Sequence, residues 1–438
     1  MSGRNEPGLR EAPPSVGEPE RRNGGPQTFH SVLFQGRVGG AAAAKEGPSF
    51  FGDLNLDQVL ESLTTGREEY DLAGFFYEPL HAVPAVYYRQ EVMLDLEQES
   101  VRKPIVVFAS QMKRIREQLT LVAKLRDRHQ RERWFLSATR VYCDAVRSFA
   151  DQLSSVPLTS RGLHGLRQYL NRYVGSRPFL ELVDEASELA NALDRVRYAV
   201  HLRGLRVSVR PYEDEPDLTA RVEETFAKFR QGDVKDYTVA FPAFLETNPV
   251  ESRILALVAQ LHPQLFARLA DYVERRGDSY LDATIARFDR EVQFYLAYLD
   301  CVEPLRSAGL AFCYPTVSER SKQIRVGQAF DLALAQKLVP SGATVVCNDI
   351  DLHGDERIIV VTGPNQGGKT TFARMVGQLH HLAALGLPVP GTEAELFLPD
   401  RLFTHFEREE DLTTLRGKFE DELVRLHEIL ETATSEAS

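Results

Sequence analysis

The chain has 438 residues, 43% of them apolar, and a formal net charge of -11. That length predicts two or three domains, and the acidic balance excludes a protein that coats nucleic acid by bulk charge, leaving room only for a local basic face. The 4 cysteines include no C-x-x-C pair and no apolar run is long enough to span a bilayer, so the expectation is a cytoplasmic protein with reduced thiols, no zinc site and no membrane partner.

Residues 1–48 are rich in Gly, Pro, Arg and Glu, with Val32-Leu33-Phe34 as the apolar exception, and are expected to be a mostly disordered tail because they cannot offset their ordering entropy. Residues 49–315 follow the helical period and predict a mainly α core. Leu182, Ala186, Leu189, Leu193 and Val196 form one stripe, Leu218, Val222, Phe226 and Phe229 a second, and Leu257, Leu261, Leu265 and Tyr272 a third. Phe50-Phe51 read as an apolar anchor at the start of this core. The stretch Gln111 to Arg133 is rich in Lys and Arg, with Met112, Ile115 and Leu119 along one side; it reads as the charged face of a core helix, with DNA phosphate contacts as the alternative. Between Tyr198 and Tyr212 the pattern changes to alternation around Val207 and Val209, which predicts a short hairpin.

Residues 316–438 predict an α/β domain. Ala343 to Cys347 and Ile358 to Thr362 are β-branched runs read as strands. Phe372, Met375, Val376, Leu379 and Leu382 form a helical stripe ending near Gly386, and Phe419, Leu423, Leu426 and Leu430 form another. Between the second run and the first stripe lies Gly363-Pro364-Asn365-Gln366-Gly367-Gly368-Lys369-Thr370-Thr371, which satisfies G-x-x-x-x-G-K-[ST]. Such a phosphate-binding loop turns backbone N–H groups inward and adds the positive end of the following helix, so it predicts binding of ATP with magnesium. Lys369 is expected to reach the β- and γ-phosphates, and the Thr370 hydroxyl to complete the magnesium shell.

The Gly-Pro-Asn-x-Gly-Gly-Lys-Thr-Thr form of this loop resembles the MutS family of DNA mismatch repair ATPases. Cys347-Asn348-Asp349-Ile350 before it, Leu387-Pro388-Val389-Pro390 after the helix, and Asp400-Arg401-Leu402-Phe403-Thr404 followed by Glu410-Asp411-Leu412 are similar to family segments in the same order. Leu299-Asp300 through Leu305 and Ala308 resemble the end of the family's helical core. The resemblance implies a helical core and lever domain followed by an ABC-type P-loop ATPase domain. It also implies a homodimer formed through that domain and coupling of nucleotide state to DNA binding. Gly417-Lys418-Phe419 stands where the family has Ser-Thr-Phe, so signature action toward a partner's nucleotide is in question. Phe330-Asp331-Leu332 stands where the family usually has His-Pro, which leaves the adenine contact unassigned. Glu431 to Ser438 aligns just ahead of the family's Walker B strand, and a fold truncated before Walker B is therefore expected to bind ATP without family-like turnover. The family's mismatch-reading domain is likewise expected to be missing, with DNA held weakly through phosphates.

Two further clusters invite a metal reading. His380-His381 have no third ligand at metal spacing and read as a packed or surface pair. Glu407, Glu409, Glu410 and Asp411, interrupted by Arg408, read as a solvated loop at a helix N-terminus.

Overall fold

The computed structural model describes residues 29–36, 46–203, 206–214, 249–277, 279–365, 367–406 and 418–437. A short α1 (Phe50–Asp53) and α2 (Leu56–Thr64) open the helical part, followed by α3 (Ala73–Tyr77), α4 (Val83–Glu97), α5 (Glu99–Val122), α6 (Arg128–Ser155), α7 (Arg161–Val174) and α8 (Arg177–Asp194). Side-chain caps explain several of the breaks. Asp127, Ser160 and Ser176 accept from the third residue of α6, α7 and α8 respectively, satisfying first-turn donors that have no partner inside the helix. The basic stretch expected to run from Gln111 to Arg133 is thus two helices, parted at residues 123–127 where Asp127 caps the second.

A hairpin of β1 (Tyr198–Arg203) and β2 (Arg206–Pro211) follows as expected, with Val200 opposite Val209 and Arg203 opposite Arg206. The stripe Leu218 to Phe229 lies outside the described residues. The stripe Leu257 to Tyr272 divides between α9 (Pro249–Leu261) and α10 (Pro263–Arg276), because Pro263 suits a first helical turn and cannot continue the helix before it. The long α11 (Ala283–Ser307), capped by Asp282, runs through the core with Phe288, Val292, Phe294, Tyr295, Tyr298 and Val302 buried.

After it come β3 (Phe312–Cys313), β4 (Thr316–Ser318), β5 (Ile324–Ala329), α12 (Leu332–Leu338), β6 (Asn348–Leu352), α13 (Lys369–Ala384), β7 (Val389–Pro390), β8 (Glu393–Phe397) and α14 (Lys418–Thr432). The strands β4-β8-β5-β6 form a mixed sheet, parallel between β4 and β8 and antiparallel elsewhere; β3 and β7 make a separate antiparallel pair. A mainly α part with a small α/β part agrees with the expected class. One continuous apolar core nevertheless runs from Phe29 to Leu398, so packing does not break near 315.

Two expectations need correction. Ala343 to Cys347 is not a strand; the strand lies at Asn348–Leu352, where Asp349 Oδ1 accepts from the Gln328 backbone N–H at 2.8 Å and anchors the β5–β6 bulge. Ile358 to Thr362 is not a strand either. Ile358 and Val360 are 81% and 79% exposed, and β-branched propensity forms a strand only where a neighbour completes the ladder. Within the 1–48 stretch, expected to be mostly disordered with Val32-Leu33-Phe34 as its apolar exception, Phe29, Val32, Leu33 and Phe34 pack against the helical core. Val32 and Leu33 are buried, Glu291 accepts from Ser31 Oγ at 2.8 Å and the Val32 N–H at 3.0 Å, and Tyr295 donates to the Val32 carbonyl at 2.7 Å. Four apolar residues close in sequence, Phe29, Val32, Leu33 and Phe34, offset their ordering cost locally even though the surrounding composition does not.

Candidate functional site

Gly368 closes the loop and starts α13. Its φ of +84° is the left-handed conformation that an L side chain adopts only at a cost, and a Cβ on Gly367 would lie 3.0 Å from the Pro364 carbonyl oxygen. The backbone path thus favours glycine at both positions, by its left-handed φ at Gly368 and by close approach at Gly367. The Gly367 N–H donates to the Pro364 carbonyl at 3.1 Å, and the Phe372 N–H to the Gly368 carbonyl at 2.9 Å, so the turn passes directly into the helix. No side chain caps that helix, which leaves first-turn N–H groups and the positive end of a 16-residue dipole at an exposed loop.

Lys369 Nζ donates to the Gly363 and Pro364 carbonyls at 2.8 and 2.7 Å, holding the ammonium across the loop from the helix start. An ammonium has three donors and moves freely on its stem, so this resting arrangement is readily exchanged for phosphate oxygens. Thr370 is exposed and Thr371 half-buried at the same end; Gly363, Pro364 and Asn365 are exposed, and Gln366 lies outside the described residues. The loop reading therefore meets a geometry able to take an anion: uncapped amides, a mobile ammonium and a hydroxyl at one helix N-terminus.

The other candidates separate cleanly. His380 and His381 are buried on α13, and burial lowers both pKa values, that of His381 to about 4. His381 Nε2 donates to the Phe76 carbonyl at 2.8 Å, and its ring meets the edges of Phe50 and Phe51 with centroids 5.4 and 5.1 Å away. This is a packed pair, and Phe50-Phe51 are the anchor it packs on. Glu407, Glu409, Glu410 and Asp411 lie outside the described residues. Among the described residues no cluster of His, Cys, Asp or Glu is arranged to hold a metal, and no helix is long and apolar enough to cross a membrane. All four cysteines are free thiols, and burial pushes Cys143 up to about 12.

Part of the positive charge between Gln111 and Arg133 is already paired within the chain. Arg116 bonds Glu69, Asp289 and Tyr70, Arg128 pairs with Glu132 at 2.6 Å, and Arg133 pairs with Asp194 at 3.5 Å. A different basic face stands out instead. In the hairpin register, Tyr198, Val200, Val207 and Val209 share one side, and Val209 packs on the small cluster of Val258, Ala259 and Phe266. The opposite side carries His201, Arg203, Arg206 and Arg210, with the three arginines exposed and without ion pairs among the described residues. Arg203 and Arg206 stand directly opposite each other, a like-charge pair that costs stability unless an anion lies over it. The alternation was legible in the sequence, but only the register places these charges on one face.

Residues 359–438 match the family profile of MutS domain V. The DNA mismatch repair protein MutS of Chlorobaculum tepidum is 29% identical over 177 residues, 40% of this chain and 19% of that protein. The proteins of the same description from Chloroflexus aurantiacus (30% over 179 residues) and Syntrophobacter fumaroxidans (32% over 178 residues) each match 40% of this chain and 17% and 19% of their own lengths. The match thus spans less than a fifth of each curated relative. The likeness of this chain to MutS proteins thus rests on the domain V match over residues 359–438 and on relatives aligned over about 40% of its length.

Proposed function

We propose that this chain is an ATP-binding MutS-like protein of DNA mismatch repair, in which nucleotide at the 363–371 loop sets the affinity of the helical part for DNA. The observation that supports it best is the glycine-built loop at the uncapped N-terminus of α13, with Lys369 poised across it. In this reading the backbone amides of 368–371 and the helix dipole hold the β-phosphate, and Lys369 exchanges its two carbonyl partners for β- and γ-phosphate oxygens. The Thr370 hydroxyl would help to hold magnesium, which would supply charge neutralisation at the phosphates. Association into a homodimer through the nucleotide domain belongs to the same proposal, on the strength of the family alone. Titration of a fluorescent ATP analogue tests the nucleotide half: saturable binding that unlabelled ATP displaces and EDTA weakens is expected, and no saturable binding overturns it.

For DNA, the exposed arginines of the hairpin fit phosphate contacts, with sequence-independent and salt-sensitive binding as the consequence. Replacing Arg203, Arg206 and Arg210 together by Ala is expected to reduce the slope of log affinity against log salt for a duplex by roughly 2–3, at about 0.9 per lost phosphate contact. Binding measured at several salt concentrations checks this, and an unchanged slope removes the hairpin from the interface.

A second reading, a module that binds nucleotide to set conformation without turning it over, is favoured by Lys418 standing where the family has a signature hydroxyl. Single-turnover hydrolysis separates the two: clearance of ATP at about 1 per minute or faster in the native chain but not in Lys369→Ala excludes the second.

A further inference from the structure

Resting on the nucleotide reading of the 363–371 loop, we propose that residues 50–55 are the strap that carries nucleotide occupancy from α13 into the helical core, with Asp53 as its positioning residue. The contacts lie along one face of α13, at Arg374, Gly377, Gln378 and His381, the i, i+3, i+4, i+7 pattern of neighbours on one helix side. Arg374 Nε donates to the Asp53 carbonyl at 2.9 Å, and Gln378 Nε2 donates to the Leu54 carbonyl at 2.9 Å. Gly377 lets the strap lie against the helix backbone: a Cβ there would come within 2.6 Å of a Leu54 methyl carbon. His381 completes the face against Phe50 and Phe51.

The strap is also held from its other side. Asp53 Oδ2 accepts from Thr404 Oγ1 at 2.7 Å and faces the Arg425 guanidinium of α14 at 3.4 Å. One buried carboxylate therefore ties together the start of the helical part, the segment after β8 and the last helix. Gln378 extends the tie: its Nε2 bonds Asp331 Oδ1 at 2.8 Å and its Oε1 accepts from the Leu332 N–H at 2.8 Å, at the first turn of α12. Neither contact set leaves much slack, because main-chain carbonyls, a glycine and the buried Asp53 and Gln378 side chains cannot relax without losing a bond.

The direction of transmission follows from the geometry. Lys369 and Gln378 are nine residues apart on a continuous helix, a rigid span of about 13 Å. When Lys369 leaves the Gly363 and Pro364 carbonyls for a phosphate, any displacement of the helix start reaches Asp53 and Leu54. The strap then passes through Asn55, whose φ of 55° makes a sharp left-handed joint, into α2, which packs on the central α11.

The test is hydrogen exchange of the full chain with and without MgATP, together with MgATP affinity, for the native protein, Asp53→Asn and Thr404→Val. In the native protein MgATP is expected to change exchange across residues 50–64 at least fivefold. Both variants are expected to bind MgATP within threefold of native while losing that response. Native binding of MgATP with no change across 50–64, or a full response in either variant, overturns the strap and leaves the nucleotide reading intact. Absence of MgATP binding by the native chain overturns both. If Asp53→Asn fails to fold, Thr404→Val carries the test, since it removes one half-buried hydroxyl and keeps the side-chain shape.

Discussion

Replacing Arg89 by Ala is expected to lower the unfolding free energy by about 3–5 kcal/mol, the largest single-residue effect proposed for this chain. Arg89 is 1% exposed, and its guanidinium lies between the rings of Phe34 and Phe294, 5.2 Å from each centroid. Its Nε donates to the Leu33 carbonyl and one terminal nitrogen to the Leu385 carbonyl, both at 3.1 Å. Removal leaves two buried carbonyls without these donors and opens a void beside Gly386, whose left-handed backbone is pressed against the Arg89 Cβ. Relief of a buried charge offsets part of this, since burial itself pushes the Arg89 pKa down. Arg89→Met, which refills the volume, should recover some of the loss and none of the hydrogen bonding. Urea denaturation of the three proteins at equal m-value checks the prediction. A loss below about 1 kcal/mol for Arg89→Ala would show that the 29–36 segment contributes little to the core.

Acidification is expected to cost stability through His381. Its Nε2–H donates to the Phe76 carbonyl, so Nδ1 is the site a second proton would take, on a buried ring packed against Phe50 and Phe51. Burial depresses its pKa to about 4, well below the ordinary 6.5, so the unfolded chain binds the proton more readily. The contribution is fully present above about pH 6.5 and is lost as pH falls toward 4, amounting to about 2 kcal/mol by pH 5 and about 3 kcal/mol by pH 4. His380, also lowered by burial and with an unpartnered Nε2, acts with the same sign. The measurement is unfolding free energy at pH 7 and pH 5 for the native chain and His381→Gln. The native chain should lose about 2 kcal/mol more than the variant over that interval. Equal losses would mean that His381 is solvated or leaves its pocket on protonation.

The helices were legible because their signals are local. Leu182 to Leu193 of the first stripe lie within α8, and the stripe from Phe372 to Leu382 lies within α13. Breaks inside charged or apolar runs were harder. Pro263 marks one in the sequence itself, but the 123–127 break carries no proline or glycine, and the cap at Asp127 resembles any charged residue in a charged stretch. The strand expected at Ile358 to Thr362 shows the limit of propensity, since its apolar side chains meet no ladder partner among the described residues. Val32-Leu33-Phe34 stood out as apolar within 1–48, but its partners Glu291 and Tyr295 lie some 260 positions away and could not be read from the sequence. For the same reason the loop could be read at once from nine adjacent residues, while the strap along α13 could not. Asp53, Gln378, Thr404 and Arg425 have no shared spacing, and only the fold brings them together.

Calorimetric titration of the native chain and of Lys369→Ala with ATP and magnesium tests the account most directly. Lys369 is half-exposed and, among the described residues, bonds carbonyls of its own loop, so its loss should leave the fold intact and act on the ligand alone. Loss of a phosphate-directed ammonium is expected to weaken binding by at least about 1.5 kcal/mol, roughly tenfold or more in affinity. Equal affinity in the two proteins would contradict the assignment of residues 363–371 as the nucleotide site.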